Sequence, residues 1–330
     1  MRAVLASKGE LKDITTDKPT PGEHDLLVQV KAVSVNPVDT KVRERAKVSG
    51  DDKILGWDAV GEVVAVGSKV TLFSKGDRVW YAGDVTRPGS NAEFQCVDER
   101  IAAKAPANLS DTQAAAMPLT AITAWELLFE RLQIPRDDTS KDRVLLIVGA
   151  AGGVGSMLVQ LARKLTKATV IGTASREASQ TWIEELGAHY VLDHSMPLSA
   201  ELAGVGVKDV TDVASLTHTD EHFNELVRML RPQGRLALID DPEQALDISG
   251  MKQKSLSLHW EFMFTRPMFK TSDIAEQHKL LSELSDLVDS GVINSTLGES
   301  MGTINAVNLD KAHQRLKTQS TIGKLVLSGF

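Results

Sequence analysis

The amino-acid sequence predicts an α/β protein in two parts, a partly open β-barrel and a doubly wound parallel sheet. Three observations predict it. Residues 1 to about 120 hold short strand runs separated by turn residues. From Arg143 the texture changes to apolar strand runs alternating with helical periods, the mark of a parallel sheet. At the head of that second stretch, Arg143 to Leu165 gives an apolar run, a glycine-rich turn and a helix.

In the first part, Leu26–Val30 reads as a strand, and Asn36-Pro37 breaks the chain after it. Val60–Val66 alternates and ends at Gly67, and Arg78–Tyr81 follows the turn at Lys75-Gly76-Asp77. Arg87-Pro88-Gly89 is a loop and Ala92–Val97 another strand. Ser110-Asp111 starts a helical tract over Thr112–Met117, checked by Pro118, and a second helix covers Ala121–Leu132. The parallel-sheet strands fall at Val144–Val148, Ala168–Thr173, His189–Leu192, Asp209–Ala214, Arg235–Ile239 and Ser255–Trp260. Helices over Val154–Lys164, Ala178–Leu186 and His222–Leu230 lie between them. After Phe264 come an amphipathic helix, Ile274–Val288, a few short strands and a closing strand, Lys324–Leu327. That last part is too small for a core of its own, so it packs back on the barrel. The expected domains are 1–120 with 265–330, and 121–264.

The turn Ala150-Ala151-Gly152-Gly153-Val154-Gly155 suits a dinucleotide. Glycines let the main chain approach a pyrophosphate, and the helix start aims its free N–H groups at it. The pattern is imperfect, since Ala150 stands at the first glycine, but its setting between a strand and a helix is the confirming one. A buried helical hairpin with incidental glycines is the alternative.

Bulk properties narrow the class. The 330 residues, 42% hydrophobic and 25% charged, are ordinary for a soluble globular chain. A net charge of −7 argues against nucleic acid or an anionic membrane as partner. The single cysteine, Cys96, excludes an internal disulfide and a multi-thiolate metal site, and fits the reducing cytoplasm. The opening MRAVLASKGELKD builds no signal-like apolar core, and no run approaches the ~20 apolar residues of a membrane span.

Over its length the chain resembles the medium-chain dehydrogenase/reductase superfamily, in its zinc-free quinone oxidoreductase branch, and most closely proteins called zinc-type alcohol dehydrogenase-like. The matching residues are Asn36-Pro37-Val38-Asp39, Gly56-Trp57-Asp58-Ala59-Val60-Gly61, Gly76-Asp77-Arg78-Val79, the Ala150–Gly155 turn and Gly323-Lys324-Leu325-Val326-Leu327. The stretches Tyr81–Glu93 and His259–Pro267 match the narrower subfamily. The resemblance implies a GroES-like β-barrel catalytic domain, a Rossmann domain inserted in it, a cleft between the two and commonly a homodimer.

Metal-bearing relatives need Cys, His and Cys or Asp where this chain has Asn36, Trp57 and Leu119. An amide oxygen is a poor zinc ligand, and an indole or alkyl group is none. Asp58 alone makes no site, so no metal is expected. His218-Thr219-Asp220-Glu221-His222 matches a zinc-binding helix pattern, but with Asp220 as N-cap the two imidazoles do not share a helix face.

Aligning the turn glycines puts Ala174 where an NAD site carries an acidic residue, followed by Ser175 and Arg176. Without a carboxylate to repel a 2′-phosphate, and with a guanidinium to grip it, NADPH is the expected cofactor; Arg176 as a solvated helix-start residue is the alternative. By resemblance His194 lies near the adenosine, and Thr123 near the nicotinamide. Ile239 and Asp240 end the fifth strand and Phe262 and Phe264 end the sixth, so both pairs are candidates to line the nicotinamide pocket, with plain core as the alternative for the two aromatics. Ala151, Gly152, Gly153, Val154 and Gly155 form the phosphate cradle.

Without a metal Lewis acid, hydride transfer is easier to an acceptor that delocalises charge, a quinone or an α,β-unsaturated carbonyl. The protein then supplies position and donors to the developing oxyanion. Asn36, Tyr81 and Thr123 are the candidate donors, Tyr81 or water the proton source, and Trp57 a flat apolar wall. Cys96 reads as a part-buried hydrophobe, not a nucleophile. A zinc alcohol dehydrogenase and a non-catalytic NADPH-binding sensor are the competing readings.

Overall fold

Where strands carry runs of Val, Leu and Ile, both faces of the sheet must be covered, and two separate cores result. The computed structural model describes all residues from Met1 to Phe330. It divides into two units, Met1–Ile122 with Met263–Phe330, and Thr123–Phe262, where the sequence places the boundaries at 120/121 and 264/265.

The first unit begins with β1 (Arg2–Ser7), β2 (Glu10–Thr15), β3 (Asp25–Val35), α1 (Pro37–Ser49), β4 (Asp52–Ile54), β5 (Ala59–Val66), β6 (Arg78–Tyr81), β7 (Phe94–Asp98) and β8 (Ala102–Lys104). Two short helices follow, α2 (Asp111–Ala115) and α3 (Pro118–Trp125). In the second unit come β9 (Val144–Val148), α4 (Gly153–Leu165), β10 (Thr169–Thr173), α5 (Glu177–Glu185), β11 (Tyr190–Leu192), α6 (Leu198–Gly204), β12 (Val210–Ser215), α7 (Thr219–Met229), β13 (Leu230–Leu238) and β14 (Ser257–Trp260). The chain returns to the first unit through α8 (Thr265–Phe269), α9 (Glu276–Asp289), β15 (Leu297–Ser300), α10 (Ala306–Lys317) and β16 (Lys324–Ser328).

In the first unit, seven strands follow the path β15-β16-β3-β5-β6-β8, with β7 also on β3. The last strand lies antiparallel to β3, pairing Leu325 with Val35 and Leu327 with Val33, so the C-terminal residues complete the barrel. Leu26, Val28, Val33, Val63, Val79, Leu325 and Leu327 are among its buried core. The second unit is one sheet, parallel throughout, in the order β11-β10-β9-β12-β13-β14. Numbered within the sheet this is 3-2-1-4-5-6, the dinucleotide-binding order, with its reversal between β9 and β12.

Five sequence expectations are corrected. The stretch between β11 and β12 forms a short helix, α6, where none is expected. Pro37 does not end the structure after β3: it is the first residue of α1, where its missing N–H costs nothing and its fixed φ suits a helix. The tract after α9 holds one strand and a 12-residue helix, α10, capped by the Asn305 side chain, in place of a few short strands. The second early helix begins at Pro118, and from Glu126 to Arg131 it widens into a π-helix. The N-cap of α7 is His218 in a left-handed conformation, and Asp220 sits in the first turn.

Candidate active site

The glycine turn closes the carboxyl end of β9, at the point where the strand order reverses. Gly149 takes φ +80°, a left-handed conformation that glycine adopts without penalty. Its N–H donates to Thr173 Oγ1 at 3.1 Å, and Ala150 N–H donates to the Thr173 carbonyl at 3.3 Å, so β10 holds the turn. A Cβ at Gly155 would lie 2.5 Å from Ala150 Cα, so only glycine lets the helix start pack on the bend. Gly152 caps α4, and with Gly153 and Val154 it is half-buried, while Ala151 and Gly155 are buried. The first helical N–H groups therefore stand at the rim of the sheet, an arrangement that binds anionic oxygen.

Next to this cradle, β10 ends at Thr173 and Ala174 is buried, its N–H donating to Leu192 O at 3.0 Å. Ser175 and Arg176 are exposed, with Arg176 at the N-cap of α5. No carboxylate ends the strand. His194 Nδ1 lies 3.2 Å from Thr173 Oγ1, which ties this half-buried ring to the turn. Burial, then the imidazole of His222, lowers its proton affinity, with Arg176 and His218 adding to the effect, and the nearby Asp193 opposes them. Asp240 does not stand free: its carboxylate accepts from Thr219 N at 2.9 Å and Thr219 Oγ1 at 2.5 Å, capping α7. Ile239, beside it, is half-buried.

The first unit contains a different polar centre. Asn36 follows β3, Asp58 precedes β5 and Lys324 opens β16, and all three are buried. The Lys324 ammonium donates to Asn36 Oδ1 and to Val35 O at 3.1 Å, and lies 3.3 Å from Asp58 Oδ2. Asp58 also accepts from Ser34 Oγ at 2.6 Å and from the Leu119 N–H at 3.1 Å. Asp39, in the first turn of α1, accepts from Asn36 N at 2.6 Å. Burial raises the Asp58 carboxyl above its ordinary range and lowers the ammonium of Lys324, each opposed by the charge of the other. Burial likewise lifts Asp39 to about 7.

With its oxygen on the ammonium, Asn36 presents its amide N–H groups elsewhere, where contacts are long: 3.4 Å to Asp58 Oδ2 and 3.5 Å to Ser34 O. Trp57 is enclosed; its indole N–H donates to Asp84 O at 3.1 Å, and its ring meets Phe264 edge to face at 6.3 Å. Tyr81 lies in the barrel core with its Oη unpartnered, and burial raises the phenol's pKa. Cys96 is half-buried, its thiol pushed up to about 11 by burial. Thr123 is buried in α3 and belongs to the second unit.

The structure thus groups the turn residues with Ser175, Arg176 and His194, and groups Asn36 with the barrel elements around Trp57. Sequence reasoning missed Lys324 as a partner of Asn36, and Thr173 as the anchor of the turn. A lysine at the head of the apolar run Leu325-Val326-Leu327 is the signal that marks the first. No three His, Cys, Asp or Glu side chains gather as a metal ligand set.

Comparison with known proteins places this geometry. Residues 22–107 match the family model of the alcohol dehydrogenase GroES-like domain, and 153–282 that of the zinc-binding dehydrogenases. Together with the sheet order, this defines an oxidoreductase of the medium-chain dehydrogenase/reductase type. A zinc-type alcohol dehydrogenase-like protein of Staphylococcus aureus (strain MSSA476) is 40% identical over 312 residues, 94% of this chain and 92% of its own. A structure from Rhizobium etli CFN 42, provisionally described as a zinc-dependent alcohol dehydrogenase, is 50% identical with a TM-score of 0.95, covering 100% of this chain and 98% of the other. The mycobacterial protein Rv1454c, solved with NADPH, is 27% identical with a TM-score of 0.84 over 99% of each chain. The chain belongs to the zinc-type alcohol dehydrogenase-like proteins of that superfamily.

Proposed function

We propose that this protein is an NADPH-dependent, zinc-independent reductase of quinones or α,β-unsaturated carbonyls. The observation that carries it is the end of β10, where Ala174, Ser175 and Arg176 stand in place of the acidic residue of an NAD site. The glycine bend fits a pyrophosphate, since a side chain at Gly155 would collide with the turn. Arg176, exposed and without a carboxylate partner, suits a 2′-phosphate. NADPH binding in the mycobacterial relative supports the same choice.

The donor set does not suit zinc. Asn36 offers its oxygen to an ammonium, Trp57 offers an N–H, and Leu119 has no donor atom in its side chain. Lys324, 3.3 Å from Asp58, already brings positive charge to the one carboxylate there. The name "zinc-type" then describes ancestry. One tightly held zinc per purified chain, read by elemental analysis, overturns this part of the reading.

NADPH, when bound, supplies the hydride. The chain's own part is to place the acceptor and to donate to the oxygen on which charge develops. Asn36, oriented by Lys324, is the donor in this reading, while Trp57 is as enclosed as Tyr81, with its indole N–H satisfied by Asp84 O, and serves the core. Water delivers the proton, because the Tyr81 phenol lies within the barrel core and burial weakens it as an acid.

A panel of quinones, enones and aldehydes, run with NADPH and NADH side by side, tests the reading. The expected result is NADPH oxidation by the conjugated acceptors and little with saturated aldehydes. Cofactor binding without turnover across the panel favours a sensor instead. Arg176→Ala should weaken NADPH about tenfold or more, the worth of one charge-assisted fork, and leave NADH nearly unchanged. Equal losses remove Arg176 from the 2′-phosphate.

A further inference from the structure

The parallel sheet has a second polar end. Its amino-terminal edge holds a cavity of about 380 Å³ lined by Arg143, Thr211, Arg231, Pro232, Gln233 and Arg235. Arg143 immediately precedes β9, Thr211 lies in β12, and the other four belong to β13. The ladder between β12 and β13 is irregular here: Val210 faces Leu230, yet Asp212 already faces Arg235, so residues 231–234 bow out of register. Gln233 at φ +64° makes the bend, a conformation uncommon for a residue with a side chain. The bow brings Arg231 and Arg235 to the same recess as Arg143.

The charges there do not balance. Arg143 is paired: its Nε donates to Asp212 Oδ2 at 2.6 Å, its Nη2 to Asp212 Oδ1 and to Leu132 O at 3.1 Å. Arg235 has no carboxylate; Nη1 donates to Leu132 O at 2.5 Å. Arg231, exposed, reaches only Asp142 O, at 3.5 Å. Three guanidinium groups therefore face one buried carboxylate, in a chain whose net charge is −7. The remaining guanidine N–H groups are donors only, so the complement is a ligand rich in acceptor oxygens and negative charge.

We propose that this recess binds a small, multiply charged phosphate, at a site separate from the cofactor's. The glycine turn caps the other end of β9, and five strand residues place it roughly 17 Å away. The cavity is larger than one orthophosphate needs, and guanidinium forks match phosphate oxygens in pairs. A bound anion would tie together β9, β12 and β13 and so stabilise the whole sheet.

The test uses the full chain with orthophosphate and pyrophosphate as probes, against sodium chloride of equal ionic strength. Thermal unfolding and isothermal titration are read for the wild type, for the Arg231→Gln/Arg235→Gln double variant and for Gly155→Ala, in which a Cβ 2.5 Å from Ala150 spoils the cofactor's pyrophosphate cradle. The expected result is a rise in midpoint with both probes, larger for pyrophosphate, that persists in Gly155→Ala. In the double variant the affinity should fall about tenfold for each guanidine lost. A shift that chloride reproduces, that survives intact in the double variant, or that disappears in Gly155→Ala overturns the site. Because Arg231 is exposed, the single variant Arg231→Gln keeps the test open if the double variant does not fold. A full-strength shift in that variant also counts against the proposal. None of these outcomes depends on which acceptor the enzyme reduces.

Discussion

The two polar centres of this protein are built in opposite ways. The cradle at Gly149–Gly155 is made of main chain: its donors are backbone N–H groups, and its side chains matter mostly by being absent. The knot at Asn36, Asp39, Asp58 and Lys324 is made of side chains, and its cation lies 288 residues along the chain from the amide that it orients. A backbone site is encoded by local spacing and tolerates no added atom. A side-chain knot depends on groups brought together by folding, and tolerates no missing charge.

The largest effect expected from this difference falls on Lys324. Replacing it with Met leaves Asp58 and Asp39 buried without their cation, while the new side chain fills similar volume. Breaking a buried pair from one side costs about 3–5 kcal/mol. Urea unfolding should show a loss of that size. Adding Asp58→Asn should recover part of it, because the second change removes the orphaned charge. A Lys324→Met variant as stable as the wild type would mean that the ammonium contributes nothing to the knot.

The same difference explains what was legible in the sequence. The parallel sheet is legible where a strand or helix carries its own period: β9 has the expected bounds, and α4 and β10 differ by a residue at an end or two. The short α6 is not legible, and β13 starts five residues before the expected Arg235. The medium-chain family was legible from the motifs. The knot was not, because Lys324 and Asn36 meet only when β16 lies down on β3, and no spacing rule links them. The helix α1 is hidden from the sequence for a local reason: Pro37 both stops a strand and starts a helix, and nothing local distinguishes the two roles. Tyr81 is a candidate donor by sequence, whereas its strand register, between Ala59 and Ala102, places it in the barrel core.

On the backbone side, Gly155→Ala adds one methyl group where a Cβ would meet Ala150 Cα at 2.5 Å and the Ala150 carbonyl oxygen at 2.5 Å. Neither neighbour is a flexible side-chain end, so the helix start must shift. Overpacking of this kind costs about 1–3 kcal/mol of stability. The functional loss should exceed it, since the shifted N–H groups no longer converge on a pyrophosphate. Quenching or enhancement of NADPH fluorescence on titration reads that loss directly. Undiminished NADPH affinity in Gly155→Ala would break the comparison, because the cradle would then not depend on close approach.

The smallest effect, and the sharpest test of the knot, is its dependence on pH. Asp39 is raised by burial from the ordinary 3.8 to about 7. Between those values the folded chain holds a proton at Asp39 that the unfolded chain has lost, so stability falls as pH rises through the window. Asp39→Asn keeps the size of the side chain and removes the titration. The difference in urea midpoint between wild type and Asp39→Asn should therefore move against the wild type from pH 5 to pH 8. It should stay flat above pH 8, where Asp39 is ionised in both states. A difference that is constant from pH 5 to pH 8 would show that Asp39 is already charged in the folded protein at pH 5. The Lys324 ammonium, and not a proton, would then be what neutralises it.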